Sequence, residues 1–172
     1  MLYEKIIHDA GSTFSHKVYP HFTMPWHFHP EYELMIIKSG GGRRFAGDHI
    51  DDYHPGDLVL YGSNLPHFHM CYGLLANDPD AISACEVIQF SGDIFPEKAS
   101  QIEELGIVWN LLEKSQFGIK FINPPSVDRI TSMMRRLDKQ TGVKRIATLM
   151  RLLEILGSKF ERYVQIGEID TS

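Results

Sequence analysis

Cysteine is nearly absent from this chain: Cys71 and Cys85 are the only two among 172 residues. Two thiols are too few for a disulfide framework, and their spacing is not that of a metal finger. Neither has an activating base beside it in sequence, so neither is assigned a catalytic role. Long apolar runs are also missing. The longest is a few residues, far short of the roughly 20 that a membrane helix needs. The first residues, Met1 to His8, contain no stretch that reads as a secretory leader. A reducing cytoplasm is the compartment these absences point to. Basic charge is in deficit too: Lys and Arg total 17 against 22 Asp and Glu, a net charge of −5. A domain that grips DNA needs surplus cations to displace phosphate counterions, so the chain alone is a poor nucleic-acid binder. With 43% hydrophobic and 23% charged residues, neither a disordered chain nor a coiled-coil rod is in prospect.

The pattern changes in the nineties. Residues 1–95 read as strands and 96–172 mostly as helices. Strand candidates are Thr13 to Tyr19, Tyr32 to Lys38, Arg43 to Ala46, His49 to Tyr53, Asp57 to Tyr61, Phe68 to Tyr72 and Ile82 to Phe90, separated by Gly, Pro, Asn and Asp. Ser39 to Gly42 reads as a hairpin turn and Leu74 to Ala81 as a surface loop. Many short strands at close spacing predict a small antiparallel barrel or sandwich.

The second part has helical periodicity. A first helix is expected from Pro96 to Ser115, with Ile102, Leu105, Val108, Trp109 and Leu112 on one face. Gly118 to Ile122 reads as an extended connector, and Pro124 and Pro125 open a second helix carrying Val127, Ile130, Met133, Met134 and Leu137. A third helix, about Val143 to Tyr163, has the row Ile146, Leu149, Leu153, Leu156 and Phe160. A second row, Met150, Leu152 and Ile155, widens its apolar face. Two rows exceed what one contact with the barrel needs, so this helix is expected to form a homodimer interface.

What the chain has in quantity is histidine, nine in all, four of them in two His-x-His pairs. Along an extended strand, side chains alternate faces, so His27, His29 and Glu33 share one face while the segment stays extended; Pro30 stands among them. Two imidazoles and a carboxylate supply three ligands for a divalent cation, and His67, placed after a turn, is the candidate fourth. Zn, Ni, Mn or Fe would suit these donors. The alternative is a metal-free polar network held by hydrogen bonds.

The spacing His27-x-His29-x3-Glu33-x6-Gly40 resembles the first cupin motif. The second motif is looser: Gly56 opens it, Gly62 stands where proline is usual, Asn64 where glycine is usual, and His67 at the histidine position. Cys71 replaces the usual asparagine, and His21 the glycine ahead of the first pair. Trp26 to Leu34, Gly40-x-Gly42, Pro55 to Leu60, Leu65-Pro66-His67, Gly118-Ile119-x-Phe121 and Arg151 to Leu156 are together similar to the N-terminal sensory domain of AraC-type transcription regulators, over residues 12–160.

The resemblance implies a mainly-β cupin jelly-roll barrel over 1–95 and a helical dimerisation tail over 96–172. It implies a small polar effector, such as a sugar, bound in the barrel, with DNA contacted only through a helix-turn-helix module beyond residue 172. It implies no catalysis; the rival is a stand-alone metal-dependent cupin isomerase, lyase or dioxygenase. Effector contacts are assigned from strand parity and family position to His69, Arg44, Ser39, Met35 and Gln89. For Arg44 the competing expectation is a solvated hairpin residue, and for His69 a residue of the barrel rim.

The charge balance generates a first prediction. The chain of 172 residues forms no sequence-selective complex with DNA at moderate salt. A tight, selective shift in a gel mobility assay would contradict it.

Overall fold

The computed structural model describes residues 1–8, 11–22, 25–75, 82–95, 98–122, 126–158 and 163–165. Among the described residues the strands are β1 Leu2–Tyr3, β2 Phe14–Tyr19, β3 His27–Phe28, β4 Tyr32–Ser39, β5 Gly42–Ala46, β6 His49–Tyr53, β7 Leu58–Tyr61, β8 His67–Cys71, β9 Ala84–Phe90, β10 Ile119–Phe121 and β11 Tyr163–Gln165. The helices are α1 Tyr72–Leu75, α2 Gly106–Lys114, α3 Val127–Asp138 and α4 Gly142–Gly157. One sheet has the order β1-β3-β8-β5-β6 and the other β11-β10-β7-β4-β9-β2. Apart from the parallel pair β1 and β3, the pairings are antiparallel. The fold is mainly β, a cupin-like jelly-roll sandwich with helices at its C-terminal side.

The strands β4, β7 and β9 are buried on both faces, which is why they read as Leu-Met-Ile-Ile, Leu-Val-Leu-Tyr and Val-Ile-Gln-Phe. One face points into the sandwich, where Met35, Ile37, Val59, Tyr61, Cys85 and Val87 form a core with Phe22 and Tyr53. The other face carries Leu34, Ile36, Leu58, Leu60, Ile88 and Phe90, packed with the apolar rows of α2, α3 and α4 into one cluster. The helices therefore share their core with the back of the barrel.

Several expectations change. The stretch from Pro96 to Ser115 is not one helix. Residues 99–101 and 103–105 form tight turns before α2 begins at Gly106, and Ile102 between them is exposed. The connector at Ile119 is a strand that extends the second sheet. Of the expected loop from Leu74 to Ala81, the first two residues belong to the helix Tyr72–Leu75 and 76–81 lie outside the described residues, as does Phe160. The last helix ends at Gly157, not Tyr163.

The wide apolar face of α4 finds its cover inside the chain. Leu152, Leu153 and Leu156 are fully buried and Ile155 nearly so, while Ile146, the first residue of the long row, is exposed. Helices α2 and α3 pack on α4, and Leu152 of the second row joins their shared cluster with Met150 partly buried against it. Ile146 and the neighbouring Val143 remain exposed at the start of α4.

A charge at either central leucine now has one expected outcome. Leu152→Asp and Leu153→Asp should each cost about 3 kcal/mol or more, because both put an unpaired carboxylate into the shared core. Urea denaturation of the two variants checks this; a folded variant of wild-type stability from either would contradict the packing.

Candidate metal centre

The chain does not stay extended from His27 to Glu33. Strand β3 ends at Phe28 in the first sheet and β4 begins at Tyr32 in the second, with Pro30 at the crossing. The expected single face is therefore replaced by donors that meet across the sandwich. His27 pairs in register with His67 on β8, and Glu33 approaches from the opposite sheet. His29 lies in the crossing segment.

The loop before β8 is set by two local features. Asn64 adopts a left-handed conformation, φ 60°, which asparagine tolerates where glycine is otherwise favoured. Its backbone N–H donates to the His29 carbonyl at 2.8 Å, tying the two histidine segments together. Gly62 donates its own N–H to the Ser115 carbonyl at 2.8 Å, and a Cβ there would lie 2.5 Å from that oxygen. Proline, lacking an N–H, could not make this bond.

All four donor residues are buried, and one ligand atom from each lies within 4.8 Å of the others. Two ligands each about 2.1 Å from an ion can be no more than ~4.2 Å apart, so the donors would have to draw closer together to hold a cation. Each imidazole donates its Nδ1–H to a nearby backbone carbonyl: His27 to Pro25 at 2.8 Å, His29 to Glu31 at 3.1 Å and His67 to Leu65 at 2.9 Å. A carbonyl only accepts, so the Nδ1 proton is fixed and Nε2 is the atom presented to the site.

Glu33 anchors the cluster. Its Oε2 lies 3.2 Å from His29 Nε2 and accepts from Gln89 Nε2 at 2.8 Å. Its Oε1 is 3.6 Å from His67 Nε2, beyond hydrogen-bond length, and that buried nitrogen has no hydrogen-bond partner. An orphaned, inward-facing imidazole nitrogen beside a carboxylate and two more imidazoles fits a divalent cation. Burial pushes the Glu33 carboxyl up, but His29 and His67 outweigh it and hold it well below the usual range. Burial opposes charge on His29 as well, and there Glu33 prevails, raising its pKa. His27 is lowered to about 4 by burial and then by His67. His69 falls well below its ordinary value for the same two reasons, with Arg44 adding to them.

A cavity of about 20 Å³ adjoins the donors, room for about one water molecule. Met35, His69 and Gln89 line it. His69 accepts from or donates to the Tyr61 hydroxyl at 3.1 Å, and the Tyr61 ring stacks on His67 with centroids 4.3 Å apart. Arg44 and Ser39 do not line it. Arg44 is fully buried, against the solvated alternative, and is engaged by Asp51 and Asp57, which Lys120 also reaches at 3.5 and 3.0 Å. Ser39 is exposed at the far end of β4, past an irregularity in its pairing with β9, where counting by alternate residues fails.

Three lining residues escaped the sequence reading. Glu4 follows β1 and its Oε2 lies 3.3 Å from His27 Nε2; Tyr19 and Phe22 come from the end of β2 and beyond. A two-residue strand carries no periodicity, so nothing in the sequence marked Glu4. His8, outside every motif, stands 3.2 Å from Glu31, whose other oxygen is 3.7 Å from His29 Nδ1.

No protein-family profile matches the chain, and no curated protein does. Among solved structures it is similar to a cupin 2 conserved barrel domain protein from Salinispora arenicola, at 18% identity and TM-score 0.38, over 49% of this chain and 68% of that one. It is similar to a variant of Bacillus subtilis oxalate decarboxylase at 22% identity and TM-score 0.38, over 51% of this chain and only 23% of the decarboxylase. ToxT from Vibrio cholerae, an AraC-family regulator, matches at 13% identity and TM-score 0.49, over 92% of this chain and 60% of ToxT. Among the described residues no helix is long and apolar enough to cross a membrane.

The buried imidazoles make stability depend on pH in the cation-free chain. Unfolded, His27 and His69 take up protons below about pH 6.5; folded, both stay neutral well below that. The unfolded chain then binds more protons, so stability is full above about pH 6.5 and falls toward pH 4, by roughly 2–3 kcal/mol per pH unit while both resist protonation. His29 acts in the opposite sense: its raised pKa adds stability that is lost as pH rises through the folded value. Glu33 adds stability that disappears only as pH drops below about 4.5. Denaturation curves from pH 4.5 to 8.5 test this; a flat profile below pH 6.5 would contradict the burial of His27 and His69.

Proposed function

We propose that the chain is the ligand-sensing module of an AraC-type regulator, a non-catalytic cupin whose barrel holds a divalent cation on His27, His29, Glu33 and His67. The observation that carries this reading is the two-faced character of β4 and β9. Glu33, Met35 and Gln89 face the donor cluster and its cavity, while their sequence neighbours Leu34, Ile36, Ile88 and Phe90 pack against the helices. A shift of either strand on ligand binding is thereby passed to α2, α3 and α4 without an intermediary. Sensing requires only that the ligand prefer one arrangement of these layers over another.

The space beside the donors narrows the ligand. About 20 Å³ admits a water-sized group on the cation, not a sugar, for which pockets of roughly 300 Å³ and more are usual. The sugar expected from the family resemblance would require the barrel to open. A metal-dependent enzyme would need an open coordination position and substrate beside it, and the same small cavity disfavours that rival. When bound, the cation would supply a Lewis-acidic attachment point for a small polar ligand; the chain's own residues fix the imidazoles and exclude water.

Elemental analysis joined to fluorescence tests the proposal. The wild type should retain about one equivalent of Zn, Ni, Mn or Fe, and His29→Ala should bind it about 100-fold more weakly or worse. His54→Ala, at an exposed turn, should not differ from wild type. In a Trp26→Phe background the sole tryptophan is Trp109 on α2, and cation loading should change its emission. Loading without any change there would argue against transmission to the helices, and equal metal content in both histidine variants would remove the site.

A further inference from the structure

A second concavity lies outside the barrel. It is a cleft of about 550 Å³ between the end of β4 and one face of α3. Lys38, Arg135, Arg136 and Lys139 line it with the hydroxyls of Thr131 and Ser132, against a single carboxylate, Asp128. In a chain of net charge −5 this is a local reversal of sign.

Two details mark it as more than a solvated basic face. Lys38 is half-buried and donates to the Thr131 hydroxyl at 3.0 Å; Thr131 is itself buried. Lys38 forms no ion pair among the described residues, so its ammonium is partly withdrawn from water with a neutral acceptor and no counter-charge. Arg135 is held from behind: its Nε lies 3.5 Å from Oε1 of the fully buried Glu86 on β9. That contact fixes the guanidinium while most of the side chain stays accessible to the cleft. Arg136 and Lys139 are exposed and likewise form no ion pair among the described residues.

We propose that this cleft binds a small phosphate monoester. A tetrahedral dianion matches two neighbouring arginines with forked donors, a point-charge ammonium seated in the wall, and two hydroxyls. The volume falls within the range of small-molecule sites. The anion would answer the unpaired charge of Lys38, and in doing so it would bridge α3 to the strand that carries Glu33.

Isothermal titration with glucose 6-phosphate at fixed ionic strength tests this, with glucose and succinate titrated in parallel. One saturable site for the phosphate ester is expected, and none for glucose. Lys38→Met and Arg136→Gln should each weaken it by about tenfold or more, while Lys144→Gln, on an exposed face of α4, should leave it unchanged. Arg136 is exposed, so its variant should keep the wild-type melting temperature and remain a valid test if Lys38→Met fails to fold. The His29→Ala variant should bind the ester as wild type does; loss there would mean that the anion sits on the barrel donors, and would overturn the proposal. Absence of a saturable site, binding of succinate in place of the ester, or full affinity in Arg136→Gln would overturn it as well.

Discussion

A buried carboxylate must have its charge answered, and the interior of this barrel is organised around that requirement at Glu33. The residue is 4% exposed and sits on a strand whose neighbours are aliphatic. Left alone, such a charge would be neutralised or would not fold. Here Gln89 supplies a neutral donor, His29 a proton, and His67 a ring nitrogen 3.6 Å away. The partners come from β9, from the crossing segment and from β8, so answering one charge fixes three elements in register around it.

The same strand is also a structural wall. Because β4 and β9 are covered by the helices on one side and by the sandwich interior on the other, neither can shift without disturbing both. Close packing transmits displacement instead of absorbing it. The apolar rows of the helices thus belong to one cluster with the back of the barrel, across the change of periodicity near residue 95. The irregular turns at 99–105 precede α2, which packs against α4, so the centre of a face that seemed too wide for one neighbour is covered by two helices and the barrel.

What was legible in the sequence was what short-range rules encode. The His-x-His pairs, Glu33 and the alternation that puts Met35 and Gln89 on the inner face all follow from strand periodicity and motif spacing. The break at Pro30 was visible, but its consequence, a switch between sheets, was not, because it depends on which strands pair. Arg44 looked like a hairpin residue because its compensating carboxylates, Asp51 and Asp57, lie across strands and a turn. Ser39 was misplaced by a pairing irregularity that leaves no trace in composition. Glu4 reaches the donors from just after a strand too short to have a period.

The three carbonyl locks on His27, His29 and His67 leave one proton with unusual freedom. Each Nδ1 hydrogen is committed to the chain's own backbone within two residues, so it stays put whatever occupies the cluster. Exchange is confined to the opposite edge of the rings, where a proton between His29 and Glu33 holds the seat that a cation would need. A cation seated there would compete with that proton for one position. A divalent ion held there would bind more weakly in acid, because each of the three imidazoles must present a deprotonated Nε2 to it.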